Sequence, residues 1–123
     1  MDTRSKILTR NAALELAPPL TVVTGSFDLL CAGHAHDLVE ARGFDPYPLL
    51  AVVLPGSRTL LDQRARAELV AALRMVDYVV IADDGDLEGL IAALQPAKLV
   101  RLEAVGERRA RQLIEHVRRR QTR

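Results

Sequence analysis

The sequence has very few aromatic residues: among its 123 residues there are two Phe, two Tyr and no Trp. A packed interior must therefore be aliphatic, and apolar residues, mainly Leu, Ala and Val, make up 49% of the chain. Charged residues contribute 27%, which is typical of an ordinary globular domain and excludes a disordered or fibrous chain. The length suits one domain over residues 1–123 and is enough to bury a core.

Cysteine and long apolar runs are also scarce. The single cysteine excludes an internal disulfide framework and is typical of a reducing compartment, so we expect a cytoplasmic protein. No apolar run reaches the roughly 20 residues needed to cross a bilayer. The charged stretch from Met1 to Arg10 does not resemble a secretory signal. These absences predict a protein without a membrane partner.

The net charge of +1 combines two unlike segments. Residues 1–97 carry 8 Lys or Arg and 13 Asp or Glu, a charge of −5, whereas residues 98–123 carry 9 and 3, a charge of +6. The basic end suits contact with phosphate, nucleic acid or an acidic surface. Alternatively, it is a solvated helix end whose cations complement the helix dipole. Nucleic acid is disfavoured as a partner because the sequence lacks aromatic platforms for bases.

Continuous apolar segments alternate with amphipathic segments along the chain. Strands without polar alternation are predicted over residues 20–24, 49–54, 78–82 and 98–102. Helices are predicted over residues 10–16 (capped by Thr9), 34–42, 61–76 (capped by Ser57 or Asp62), 87–94 and 110–117. In the 61–76 helix, the expected inward face is Leu61, Ala65, Leu69, Ala72, Leu73 and Val76. This alternation predicts an α/β fold, a Rossmann-like α/β/α sandwich with a parallel sheet of four to five strands.

The loop after the first predicted strand is the first place to look for chemistry, because parallel sheets bind ligands at the carboxyl ends of their strands. Gly25 allows a sharp turn, and Gly33 allows a ligand to approach the backbone without meeting a Cβ atom. The free N–H groups of the helix that begins near His34 attract anions, and the imidazole can donate to a phosphate. An ordinary strand-to-helix turn in which His34 is only a cap remains the alternative.

Residues 25–34 resemble the Gly-x-Phe-Asp-x-x-His-x-Gly-His signature of the cytidylyltransferase-like nucleotidyltransferases, the HxGH superfamily. The resemblance is to the nucleotidyltransferase domain of ADP-heptose synthases and to glycerol-3-phosphate cytidylyltransferases. It covers roughly residues 5–101, including the helix-plus-strand segment 66–80, so it is more specific than a lone motif.

The resemblance implies transfer of a nucleotidyl group from ATP or CTP to a sugar or polyol phosphate, with release of pyrophosphate and assistance from Mg²⁺. A nucleoside triphosphate and a phosphorylated small molecule are then the partners, and a homodimer is a further expectation because relatives are commonly dimeric. His34 and Cys31 occupy the two catalytic histidine positions of the signature. The implied nucleotide-binding residues are Gly25, Ser26, Phe27, Asp28, Gly33, His34, Arg58 and Arg66.

The sequence departs from the family at Cys31, which replaces the first signature histidine. A thiol is a weak donor, and the loss of one such donor lowers a rate by about 10²–10³. The loop at residues 55–59 offers only Arg58 as a cation, and residues 101–104 replace the Lys-Gly-Gly-Asp segment and late Ser/Thr loop of relatives. Two functions therefore remain open: a nucleotidyltransferase, or a catalytically impaired relative that binds a nucleotide or a partner protein.

Cys31, His34 and His36 also suggest a metal site, but no metal is predicted. The two histidines lie about 200° apart around a helix, which makes joint ligation with the cysteine awkward. His36 is instead expected to be exposed. The acidic residues 83–86 are interpreted as a turn that caps the following helix.

Overall fold

The computed structural model describes residues 2–28, 32–55, 61–83 and 85–102, without the side chains of residues 32–34. Predictions that concern Cys31, the side chain of His34, Ser57, Arg58, Asp84 and the helix at 110–117 lie outside the described residues.

A five-stranded parallel sheet forms the centre of the fold, in the order β1-β4-β3-β2-β5. The strands are β1 (Ile7–Leu8), β2 (Thr21–Gly25), β3 (Leu49–Val53), β4 (Tyr78–Ile81) and β5 (Lys98–Arg101). Every residue of β2 and β3 is buried, as expected for continuous apolar strands covered on both faces. The predicted fold class is confirmed. The two-residue β1 was missed as an element, because its length gives no periodic signal.

Helices cover both faces of the sheet. They are α1 (Arg10–Leu14), α2 (Ala32–Arg42), α3 (Gln63–Ala71) and α4 (Leu87–Leu94), and a 3-10 turn (Thr3–Lys6) precedes β1. One buried cluster joins the sheet to α2 and α3, and a second joins it to α1 and α4. None of the helices in the described ranges is both long and apolar enough to span a bilayer.

Side-chain caps begin two of the helices as predicted. Thr9 Oγ1 accepts from the Ala12 N–H at 3.1 Å, and Asp62 Oδ1 accepts from the Ala65 N–H at 2.7 Å. At the other end of α2, Gly43 adopts φ +57°, the left-handed conformation that commonly ends a helix.

The inward face predicted for residues 61–76 is correct at Val76, which is 1% exposed, and at Leu73, which packs against the core, but it is wrong within α3. Leu69 is 42% exposed and Ala72 is exposed, whereas the buried residues of α3 are Arg66, Ala67, Val70 and Ala71. Two physical reasons explain the error. The helix ends at Ala71, so later apolar residues do not continue its period, and a charged residue occupies the buried face.

The prediction that the acidic turn caps α4 is also corrected in one respect. Asp86 is the N-cap residue but makes no side-chain cap hydrogen bond. Its carboxylate instead accepts from Arg10 Nε at 2.7 Å, so it links α4 to the start of α1.

Candidate functional site

The sheet order reverses beside β2. The chain runs from β2 to β3 and β4 on one side, and then returns to β5 on the other side of β2. The loops after β2 and β5 therefore leave the same edge in opposite directions and form the crevice where open α/β sheets bind ligands. The segment that begins at Gly25 starts at this point, as predicted.

The turn after β2 is packed tightly on its own strand. Phe27 is 2% exposed and has φ +53°, a left-handed conformation that is uncommon outside glycine. A Cβ atom at Gly25 would lie 3.1 Å from Phe27 Cζ. Glycine is favoured here because the ring lies directly against the backbone, and not only for the sharp turn that the sequence suggested. Ser26 is exposed, and Asp28 Oδ1 accepts from the Leu61 N–H at 3.2 Å.

Arg66 lies beneath this turn and is 1% exposed. Its Nη1 donates to Ser26 O at 2.6 Å and to Leu54 O at 2.8 Å, and its Nε donates to Leu61 O at 3.2 Å. The guanidinium therefore binds backbone oxygens of the segments that follow β2 and β3 and precede α3. Its predicted contact with phosphate stays a prediction.

Gln63, which the sequence analysis missed, lies one turn before Arg66 on α3. Its Nε2 donates to Val53 O at 3.0 Å and to Ala82 O at 2.7 Å. These oxygens belong to the carboxyl end of β3 and to the residue after β4. A polar residue just inside a helix start is common, so the sequence held no signal for this contact.

The first turn of α2 contains Gly33 and His34, and by topology it begins at the same edge of the sheet as the turn after β2. Helix N-terminal N–H groups lack intrahelical partners, so such an end favours an anion. His36 is exposed as predicted: its side chain is 69% exposed, and its Nε2 lies 3.7 Å from Glu40 Oε1.

A cation also lies at the end of β5, across the crevice from β2. Arg101 is in register with Thr24, and its Nη1 and Nη2 donate to the two carboxylate oxygens of Glu88 at 2.8 and 3.0 Å. Hydrogen bonds from this guanidinium lower the pKa of Glu88 below its ordinary value. The arginine is thus held toward α4 by a carboxylate.

A cavity of about 330 Å³ lies at the opposite edge, lined by Arg42, Arg74, Met75 and Asp77. Asp77 Oδ2 accepts from the N–H of Leu49, the first residue of β3, which places the cavity at the amino ends of the strands. It is therefore separate from the crevice. Within the described ranges, no group of three His, Cys, Asp or Glu side chains is placed to hold a metal ion.

Comparison with known proteins finds relatives by sequence, although no protein-family model matches the chain. It is 34% identical to the bifunctional protein HldE of Koribacter versatilis, covering 80% of this chain and 23% of that protein. With HldE of Geobacter sulfurreducens the identity is 39%, covering 63% and 17%, and with HldE of Helicobacter pylori it is 32%, covering 81% and 24%. The chain thus spans a quarter or less of the length of these relatives.

The chain is also similar to a solved structure. The lipopolysaccharide core biosynthesis protein of Thermoplasma volcanium superposes with a TM-score of 0.61 at 26% identity, covering 66% of this chain and 71% of that one. The resemblance indicated by residues 25–34 and their surroundings is confirmed by these comparisons.

Proposed function

We propose that this chain, a homologue of the HldE proteins, transfers a nucleotidyl group from ATP or CTP to a sugar or polyol phosphate. HldE is an ADP-heptose synthase with a cytidylyltransferase-like domain, so the relatives support a nucleotidyltransferase-like domain of sugar-nucleotide biosynthesis. One structural observation indicates where the proposed site lies. The turn after β2, pinned by Arg66 at the point where the sheet order reverses, leads into the helix that carries His34.

In the proposed reaction, a phosphate oxygen of the acceptor attacks the α-phosphorus of the nucleotide. A new P–O bond forms, the bond to the pyrophosphate oxygen breaks, and pyrophosphate leaves with its electrons. No covalent intermediate with the chain is needed, so positioning and charge neutralisation supply the rate. The first-turn N–H groups of α2 and the His34 imidazole would donate to phosphate oxygens as charge develops.

Mg²⁺ enters this proposal through the family resemblance. The described residues contain no group of three His, Cys, Asp or Glu side chains that could hold the ion. Mg²⁺ commonly keeps several waters and binds through substrate phosphates, and such an ion would neutralise the leaving pyrophosphate. Asp28, the carboxylate of the turn, already accepts from the Leu61 N–H.

A catalytically impaired relative is the second candidate. Two observations favour it: Cys31 replaces the first signature histidine, and Arg101 at the end of β5 is held by Glu88. In that case the crevice binds a nucleotide without turnover, and the chain acts as a binding or protein-interaction module.

Pyrophosphate release separates the two functions. The chain is incubated with ATP or CTP, Mg²⁺ and a panel of sugar and polyol phosphates. For an enzyme we expect His34→Ala to abolish release, and Cys31→His to raise it by up to about 10²–10³. His36→Ala is the matched control, because that imidazole is 69% exposed and lies beside the exposed Glu40, and it should leave release unchanged.

Binding without release in every combination would support the impaired relative. If neither ATP nor CTP at millimolar concentration raises the melting temperature of the wild-type chain, both nucleotide-binding functions are contradicted.

A further inference from the structure

The backbone ladder of the sheet ends just short of the crevice. Among the described residues, the last backbone hydrogen bond between β2 and β3 is the Leu54 N–H donating to Gly25 O at 2.9 Å. The last between β3 and β4 is the Ala82 N–H donating to Val53 O at 3.0 Å. Backbone carbonyls beyond such a point need other donors, because buried backbone groups in native proteins are almost always paired.

Side chains of α3 supply those donors. Arg66 donates to the carbonyls of Ser26 and Leu54. Gln63 donates to the carbonyl of Ala82 and also to that of Val53, which accepts the Ala82 N–H as well. One helical turn therefore continues the hydrogen bonding of three neighbouring strands after their backbone ladder has stopped.

The spacing of the two donors makes them act from one face of the helix. Residues three apart on a helix are neighbours on its surface, so Gln63 and Arg66 approach the strand ends together. The helix start itself is fixed, because Asp62 accepts from the Ala65 N–H and the Arg66 N–H donates to Asp62 O at 3.1 Å. Gln63 and Arg66 therefore lie on one ordered helical turn, and both connect that turn to the ends of the strands.

We propose that Gln63 is a positioning residue of the nucleotide site. Its amide ties the ends of β3 and β4 to α3, and so keeps the Arg66 guanidinium beneath the turn that leads to His34. This inference rests on the proposed function for the identity of the ligand. Gln63 does not touch the nucleotide; it acts through Arg66 and the backbone of Ser26.

Lys6 provides a matched control at the other end of the same helix. Its Nζ donates to Leu73 O at 3.1 Å and to Val76 O at 2.8 Å, near the amino ends of the strands. Like Gln63 it is half-buried and gives two hydrogen bonds to backbone carbonyls. The variants Gln63→Met and Lys6→Met each remove these donors and keep an unbranched side chain of similar length.

Hydrogen exchange of the unliganded chain tests the tie directly. In Gln63→Met we expect faster exchange at the amides of Leu54, Leu61 and Ala82, with wild-type rates at those of Leu49 and Asp77. Lys6→Met should instead accelerate exchange at the amino edge of the sheet. Acceleration spread equally over both edges in Gln63→Met, or none at either edge, would overturn the tie.

Nucleotide affinity tests the positioning role. Calorimetry with ATP or CTP and Mg²⁺ should give a dissociation constant about tenfold weaker in Gln63→Met, the effect of losing hydrogen bonds of ordinary net strength. Lys6→Met should bind the nucleotide like the wild type, even if its melting temperature falls as much as that of Gln63→Met. Gln63→Glu, which keeps the volume but places an acceptor against two carbonyls, should bind at least as weakly. Gln63→Leu, which removes the donors without adding an acceptor, serves if Gln63→Met does not fold.

Two failures are distinguishable. A wild-type chain that binds neither nucleotide overturns the proposed function and the site with it, whatever the exchange pattern. A wild type that binds, together with Gln63 variants that bind equally well or Lys6→Met that binds as poorly, overturns the positioning role alone.

Discussion

Replacement of Arg66 by methionine should cost much of the stability of the fold. The side chain is 1% exposed and donates three hydrogen bonds to backbone carbonyls. Hydrogen bonds to charged groups contribute about 1.5–3 kcal/mol each, and an orphaned buried carbonyl costs about 1–3 kcal/mol. Methionine recovers part of this by avoiding the desolvation of a buried charge, and water can reach the exposed Ser26.

We therefore expect Arg66→Met to lower the free energy of unfolding by about 3–5 kcal/mol, within a total of about 5–15 kcal/mol for a domain. Arg66→Lys should lose about half as much, because one ammonium replaces the planar fork that reaches several carbonyls. Urea denaturation measures both, with the midpoint falling at constant slope.

Arg64 is the matched control for this prediction. It stands two positions earlier on α3, is 57% exposed and pairs only with Glu68 at 3.5 Å in the described structure. Arg64→Met should change the free energy of unfolding by less than about 0.5 kcal/mol. If Arg66→Met lowers the free energy of unfolding by less than about 1 kcal/mol, or Arg64→Met lowers it equally, Arg66 does not stabilise the segments that it hydrogen-bonds.

Three further predictions concern local contacts. Gly25→Ala places a Cβ atom 3.1 Å from a buried phenylalanine ring, so the free energy of unfolding should fall by about 1–3 kcal/mol and the melting temperature should fall with it. An unchanged melting temperature would contradict this contact. Asp62→Ala should cost about 1 kcal/mol, and Asp86→Ala less, because only Asp62 makes a cap hydrogen bond; urea midpoints in the reverse order would be inconsistent with this. Arg101 lowers the pKa of Glu88, so their interaction stabilises the fold at pH above the ordinary carboxyl range and is lost as the pH falls through the lowered pKa. Arg101→Met should raise the Glu88 pKa in a carboxyl NMR titration, and an unmoved value would show that the pair does not persist in solution.

Much of the architecture follows from local patterns in the sequence. Runs without polar alternation at residues 20–24 and 49–54 predict strands buried on both faces, and the structure buries every residue of β2 and β3. The caps at Thr9 and Asp62, and the end of the predicted 34–42 helix just before Gly43, were predictable because each depends on one residue and its immediate neighbours.

The errors arise where distant segments decide the outcome. Asp86 is a residue type that commonly caps helices, but its carboxylate accepts a hydrogen bond from Arg10, 76 positions away. The face of α3 was assigned by counting apolar residues, whereas the actual inward face contains Arg66 because strand-end carbonyls of remote segments need its donors.

The sequence by itself determined the strand–helix alternation, the turn at residues 25–34 and the family to which that turn points. These depend on residue type and spacing, which are local properties of the chain. Only the tertiary structure decided that the ring of Phe27 lies directly against Gly25, and that Gln63 and Arg66 join three strand ends below the crevice. The physical reason is that every residue has the same backbone carbonyl, so the sequence does not show which carbonyls remain unpaired at the strand ends. The side chains that pair with them are identified only when the strands are assembled.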